Sequence, residues 1–143
     1  MILIPIAIFL VLTAMALLQS AWAFGMLWPG IDQQSLAHTV AWDVNITQLP
    51  PFPITFGVAI AIFAAGVCAL WGAHLINLPL PNWVQKTSII VLTFIFTIRG
   101  IVTYLPNGPF ANAVEPFKTL DATFYAPLIL AIGAGYAYIW YSN

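Results

Sequence analysis

Four apolar stretches, near residues 2–28, 54–76, 84–105 and 122–141, alternate with polar intervals, and each approaches the length a helix needs to cross about 30 Å of hydrocarbon. The character of the first is broken only by Pro5, Thr13, Gln19 and Ser20. Its Ala21-Trp22-Ala23 resembles a secretory cleavage site, but the basic leading region is missing and the apolar core is too long, so an uncleaved span is expected. The longest polar interval runs from Pro29 to Pro53. It opens on the turn signal Trp28-Pro29-Gly30, carries Asp32, His38 and Asp43, and closes on Leu49-Pro50-Pro51-Phe52-Pro53. Asp32 followed by Gln33, Gln34, Ser35, Leu36 and Ala37 predicts a short interfacial helix, with Trp42 at headgroup depth. Asn45-Ile46-Thr47 is formally a glycosylation sequon and is read as chance.

In the second span Gly57, Ala61, Ala65, Ala69 and Ala73 recur every fourth residue, a ridge of small side chains on which another helix is expected to pack closely. Asn77 to Asn82, with Pro79 and Pro81, makes a tight connection to the third span, which ends before the breaker Pro106-Asn107-Gly108-Pro109. Asp121 is expected to open the fourth span, where an acid caps the helix and complements its dipole. That span ends in Tyr136, Tyr138, Trp140 and Tyr141, a pattern resembling an interfacial belt.

Composition sharpens this picture. Three basic and four acidic residues in 143, against 62% hydrophobic residues, exclude an ordinary soluble domain, and a net charge of -1 leaves no basic stripe for nucleic acid. The expected surroundings are the lipid bilayer, with another membrane protein or a second copy as partner. The spans and their loops use nearly the whole chain, 1–143, so a single all-α domain is expected, an integral membrane four-helix bundle. The lone Cys68 excludes an intrachain disulfide, a CxxC redox pair and a cysteine-rich metal site.

Four spans put the N-terminus, the connection before Lys86 and the C-terminus on one side, and both long loops on the other. The short-loop side holds Lys86 and no acid, so the positive-inside rule predicts cytoplasmic termini with the long loops outside.

Arg99 is the cation placed well inside a span, where an unaccompanied guanidinium costs at least about 2.5–3.5 kcal/mol. Because alternate helices reverse, Gln19, Arg99 and Asp121 fall in the same half of the membrane. Asp121 is the natural partner of Arg99 in a bidentate pair, with Glu115 as competitor. Two readings follow. The pair is an interhelical staple, or it belongs to a pocket for a small anionic or lipid-like ligand that also uses Gln19, Trp22, Trp28 and Tyr125.

His38 and His74 lie toward opposite sides and do not suit a two-histidine haem; a haem or pigment ligated through His74 is the minor alternative to an interfacial histidine, and no cofactor is predicted. HExxH, CxxCH, GxSxG, Walker and dinucleotide patterns are missing, as is any carboxylate–histidine cluster, so neither a metal nor an enzymatic reaction is expected.

Two regions carry a resemblance. One is Ser20-Ala21-Trp22-Ala23-Phe24-Gly25-Met26-Leu27-Trp28-Pro29, followed by Ser35-Leu36-Ala37-His38-Thr39-Val40. The other is Arg99-Gly100, then Phe117 and Leu120-Asp121-Ala122-Thr123-Phe124-Tyr125-Ala126-Pro127-Leu128. Together they resemble a family of small bacterial four-helix membrane proteins catalogued only as a domain of unknown function. The chain departs from that pattern at Gln19-Ser20, where a histidine and a polar neighbour are common, and at Met26, which replaces a second glycine. The resemblance implies the bundle and a paired Arg99 and Asp121, and no activity. The function expected is that of a non-enzymatic accessory or stabilising subunit of a membrane complex; an oligomeric binding or transport protein using the Arg99/Asp121 corner is the alternative.

Overall fold

The structure, a computed structural model describing residues 2–28, 30–40, 51–105 and 117–142, is built from helices alone among those residues. They are α1 (Leu3–Ala23), α2 (Gln33–Val40), α3 (Phe52–Gly72), α4 (Asn82–Val102) and α5 (Phe117–Tyr141). The expectations placed on Pro29, Trp42, Asp43, the sequon, Pro50, Pro106 to Pro109 and Glu115 lie outside the described residues. At 21 residues, α1, α3 and α4 each reach about 31 Å at 1.5 Å per residue. With α5 they are the four helices long and apolar enough to cross a membrane, and the chain is an integral membrane four-helix bundle.

Two helices stop through the same device, in positions the apolar pattern does not show. After α1, Gly25 takes φ 102°, its N–H donates to the Trp22 carbonyl at 3.0 Å, and the Met26 N–H donates to the Ala21 carbonyl at 3.0 Å. This left-handed cap satisfies two terminal carbonyls, so the helix ends at Ala23 and not near Trp28. After α3 the same pattern uses His74 at φ 62°, with His74 donating to Trp71 and Leu75 to Leu70. The helix therefore ends at Gly72, before the expected Ile76, and His74 caps the chain reversal instead of sitting in the span. The predicted short helix α2 does form. Asp32 Oδ1 accepts the Ser35 N–H at 2.7 Å while Ser35 Oγ accepts the Asp32 N–H at 3.1 Å, a reciprocal cap.

In the bundle α1 lies along α3 and α4 along α5, and the two pairs meet through Ile8, Leu12, Ala65, Ala69, Ile89, Ile132, Tyr136 and Ile139. The α4–α5 pair approaches closely at Gly133, where a Cβ would lie 2.8 Å from Thr97 Oγ1 and 3.2 Å from the Thr97 backbone nitrogen. Only glycine lets the backbones come this near.

The small-residue ridge of α3 needs correction. Ala65 and Ala69 are in the core and Ala73 packs against it, but Gly57 and Ala61 are exposed. A row at every fourth residue advances about 40° per step on a helix of 3.6 residues per turn, so across five members it winds about 160° away from any one neighbour. The buried face of α3 is instead Thr55, Ala59, Ala65, Gly66, Ala69 and Gly72. Tyr136 also differs from expectation. It is not part of an interfacial belt but fully buried, stacked on Phe96 with ring centroids 5.6 Å apart, and its hydroxyl donates to the Ala65 carbonyl. Two residues turn a helix by about 200°, so Tyr138 is exposed while Tyr136 faces the core.

Two measurements check this arrangement. Single cysteines introduced at Asp32, Lys118 and Lys86 in a Cys68→Ala background should label the first two from one side of the membrane and the third from the other; labelling of all three from one side would refute the topology. Ala65→Leu should overpack the α3–α5 contact and cost about 1–3 kcal/mol in a detergent unfolding assay, an effect absent if Ala65 faces lipid.

A candidate site at the long-loop end

Asp121 lies one turn inside α5 and not at its start, because the helix already begins at Phe117. Its carboxylate oxygens accept from Arg99 and Thr103 of the neighbouring helix instead of capping its own. It heads a five-residue π-helical turn, Asp121–Tyr125, closed by the Ala126 N–H donating to the Asp121 carbonyl. Pro127 accounts for the widened turn: it has no N–H to give the Thr123 carbonyl, and its ring crowds that oxygen. Arg99 stands in the last turn of α4, which runs antiparallel to α5. A cation at a helix C-terminal end and an anion near an N-terminal end are each favoured by the helix dipoles.

Three side chains close a ring there. Arg99 Nη2 donates to Asp121 Oδ1 at 2.8 Å, Thr103 Oγ1 donates to Asp121 Oδ2 at 2.6 Å, and Arg99 Nη1 donates to Thr103 Oγ1 at 2.9 Å. The expected pair therefore exists, but the expected bidentate fork does not: Thr103 takes the second carboxylate oxygen. The Asp121 side chain is 2% exposed and that of Arg99 30%, so the carboxylate is buried and the guanidinium reaches toward the helix end. Tyr104 ties the same two helices through a bond from its hydroxyl to the Ala122 carbonyl at 2.7 Å. Tyr125 donates to the Thr39 carbonyl at 3.2 Å, fastening α2 across the first turns of α5, and Leu36 and Ala37 of α2 are fully buried.

The other residues expected here do not join the ring. Gln19 donates to the Thr55 carbonyl at 3.4 Å and so links α1 to α3. Trp22 Nε1 donates to the Trp28 carbonyl at 2.6 Å, closing the turn after α1, while the Trp28 ring is exposed. His38 on α2 and His74 after α3 lie at opposite ends of the bundle. Among the described residues there is no group of three or more His, Cys, Asp or Glu side chains that could hold a metal. Thr103 was overlooked in the sequence although a signal existed: it stands four residues after Arg99, on the same helix face. The three side chains tie α4 to α5.

A family model described as "Protein of unknown function (DUF3995)" matches residues 12–136, and the chain belongs to this family, in agreement with the resemblance carried by its Arg99 and Asp121 regions. Neither the curated proteins nor the solved structures contain a match to it.

The unequal burial of the pair sets the outcome of mutation. Arg99→Ala leaves a buried carboxylate and should cost about 3–5 kcal/mol. Asp121→Ala leaves a guanidinium that can turn toward the headgroups and should cost less, about 1.5–3 kcal/mol. Chemical unfolding of both single variants and the double variant should show the double losing less than the sum; strict additivity would refute the tie.

Proposed function

We propose that this member of the family is a non-enzymatic accessory or stabilising subunit of a larger membrane complex, held in a bacterial cytoplasmic membrane with both termini cytoplasmic. The observation that carries the reading is the outward row Gly57, Ala61 and Ala64 on α3, exposed on a helix whose other side makes the core. A Cβ on Gly57 would meet nothing within 4 Å. Spacings of four and three keep these residues on one face, and small residues on a membrane helix serve close approach of a second backbone. Large apolar side chains flank the row, among them Ile54, Val58 and Ile60, as an interhelical groove requires. The orientation is supported by Lys86 on the short-loop side.

The alternative, an oligomeric binding or transport protein acting through Arg99 and Asp121, is weakened by the internal closure of that pair. Neither of the two cavities described below is lined by it.

Purification from native membranes without overexpression tests the choice. The wild-type chain should bring down a stoichiometric larger membrane protein. Gly57→Leu and Ala61→Leu should keep the stability of the isolated chain, since neither side chain meets the bundle, and should lose the partner. Recovery of a homo-oligomer with bound lipid or solute would replace the subunit reading with the binding one.

A further inference from the structure

At the end of the bundle opposite the ion pair, the reversal after α3 and the start of α4 enclose a cavity of about 490 Å³, lined by His74, Asn82, Gln85, Lys86, Trp140 and Tyr141. Its floor is apolar, made where Gly72 meets Ile89, and a Cβ on Gly72 would lie 2.6 Å from Ile89 Cδ1. The inner wall is rigid, because the buried Gln85 donates its side-chain amide to the Trp71 carbonyl and pins α4 to the end of α3. A smaller cavity of about 230 Å³ between α1 and α3, lined by Thr13, Leu17 and Phe63 among others, is almost wholly apolar.

The larger cavity collects donors. Lys86 offers an ammonium, Asn82 an amide, His74 a ring N–H in either protonation state, and Trp140 and Tyr141 an indole N–H and a phenol. The first turn of α4, which starts without a side-chain cap, adds N–H groups ahead of its first intrahelical bond and the positive end of the helix dipole. Nothing acidic answers them. Among the described residues no acidic side chain lines the cavity, and Lys86 has no acidic partner there. Lys86, Asn82 and His74 are exposed on this open cavity, and a cation there without a protein counter-ion draws an anion from its surroundings. The volume exceeds that of a bare ion and falls in the range of sites for organic ligands, about 300–1,000 Å³. Two exposed aromatic rings on the rim match the depth at which phosphate and glycerol groups of a bilayer lie.

We propose that this cavity binds a phosphate-bearing anion, with Lys86 as counter-ion and with Asn82, His74 and the start of α4 as hydrogen-bond donors. The left-handed backbone at His74 is what turns the chain over the cavity and brings the imidazole to its edge.

The test uses the full chain in nanodiscs of phosphatidylcholine alone or mixed with phosphatidylglycerol, and in detergent with inorganic phosphate. Lipid retained after delipidation is read by native mass spectrometry, and thermal stability is read in parallel. Phosphatidylglycerol should be retained over phosphatidylcholine, and Lys86→Gln should weaken that retention about fivefold, the equivalent of about 1 kcal/mol for one interfacial cation. His74→Asn, which keeps a residue tolerant of the left-handed backbone, should weaken it further, and Lys118→Gln, at the other end, should not change it. Stabilisation by inorganic phosphate that Lys86→Gln abolishes, without lipid preference, also supports the site and makes its ligand a free phosphate compound. Equal retention of both lipids together with no response to phosphate, or a lipid preference unaffected by Lys86→Gln in a folded variant, overturns it.

Discussion

Hydrocarbon offers no hydrogen-bond partner, and that constraint governs the polar side chains that join the helices of this bundle, while the buried Thr13 hydroxyl stands outside it with no partner among the described residues. Three of them donate into backbone carbonyls of α3: Gln19 from α1 to Thr55, Gln85 from α4 to Trp71, and Tyr136 from α5 to Ala65. Every other spanning helix thus reaches α3 through a polar bond, at three successive depths. Bonds of this kind between membrane helices average only about 0.6 kcal/mol, so they do not hold the bundle together by strength. Dispersion between closely approaching surfaces does that, at Gly133 against Thr97 and along Leu12, Ala65 and Ala69. What the bonds add is register, because a helix that slides or rotates strands a polar group in lipid.

The same constraint decides how much was legible in the sequence. Span number, the short helix after Asp32 and the meeting of Arg99 with Asp121 depend on apolar length and on chain reversal, both visible in the order of residues. The outlying ends of α1 and α3 depend on left-handed caps at Gly25 and His74, and a histidine is a weak signal for one. The α3 ridge was misread because spacing by four names residues on a slowly turning line, while the buried face is defined by which helix lies opposite, information that resides in the tertiary arrangement alone. Tyr136 illustrates the same limit: aromatic composition near a helix end suits a belt, yet one ring of the set points inward and carries a core hydrogen bond.

The ion pair owes its place to a backbone irregularity no periodicity announces. Eleven residues separate Asp121 from Ile132, about three turns of a regular α-helix, so in an uninterrupted α5 the carboxylate would share a line with a core isoleucine. The π-helical turn at Asp121–Tyr125 adds a residue to one turn and rotates what precedes it by up to about 100° relative to that line. The carboxylate then meets Arg99 and Thr103 on α4 instead of entering the apolar core. Pro127, which forbids the normal bond to Thr123, is therefore part of the electrostatic design although it stands six residues from the acid and touches neither charge. Helix widening, the buried carboxylate and the seating of α2 through Tyr125 form one unit at the long-loop end, and below it α4 packs on α5 through the close approach at Gly133 and the Phe96–Tyr136 stack.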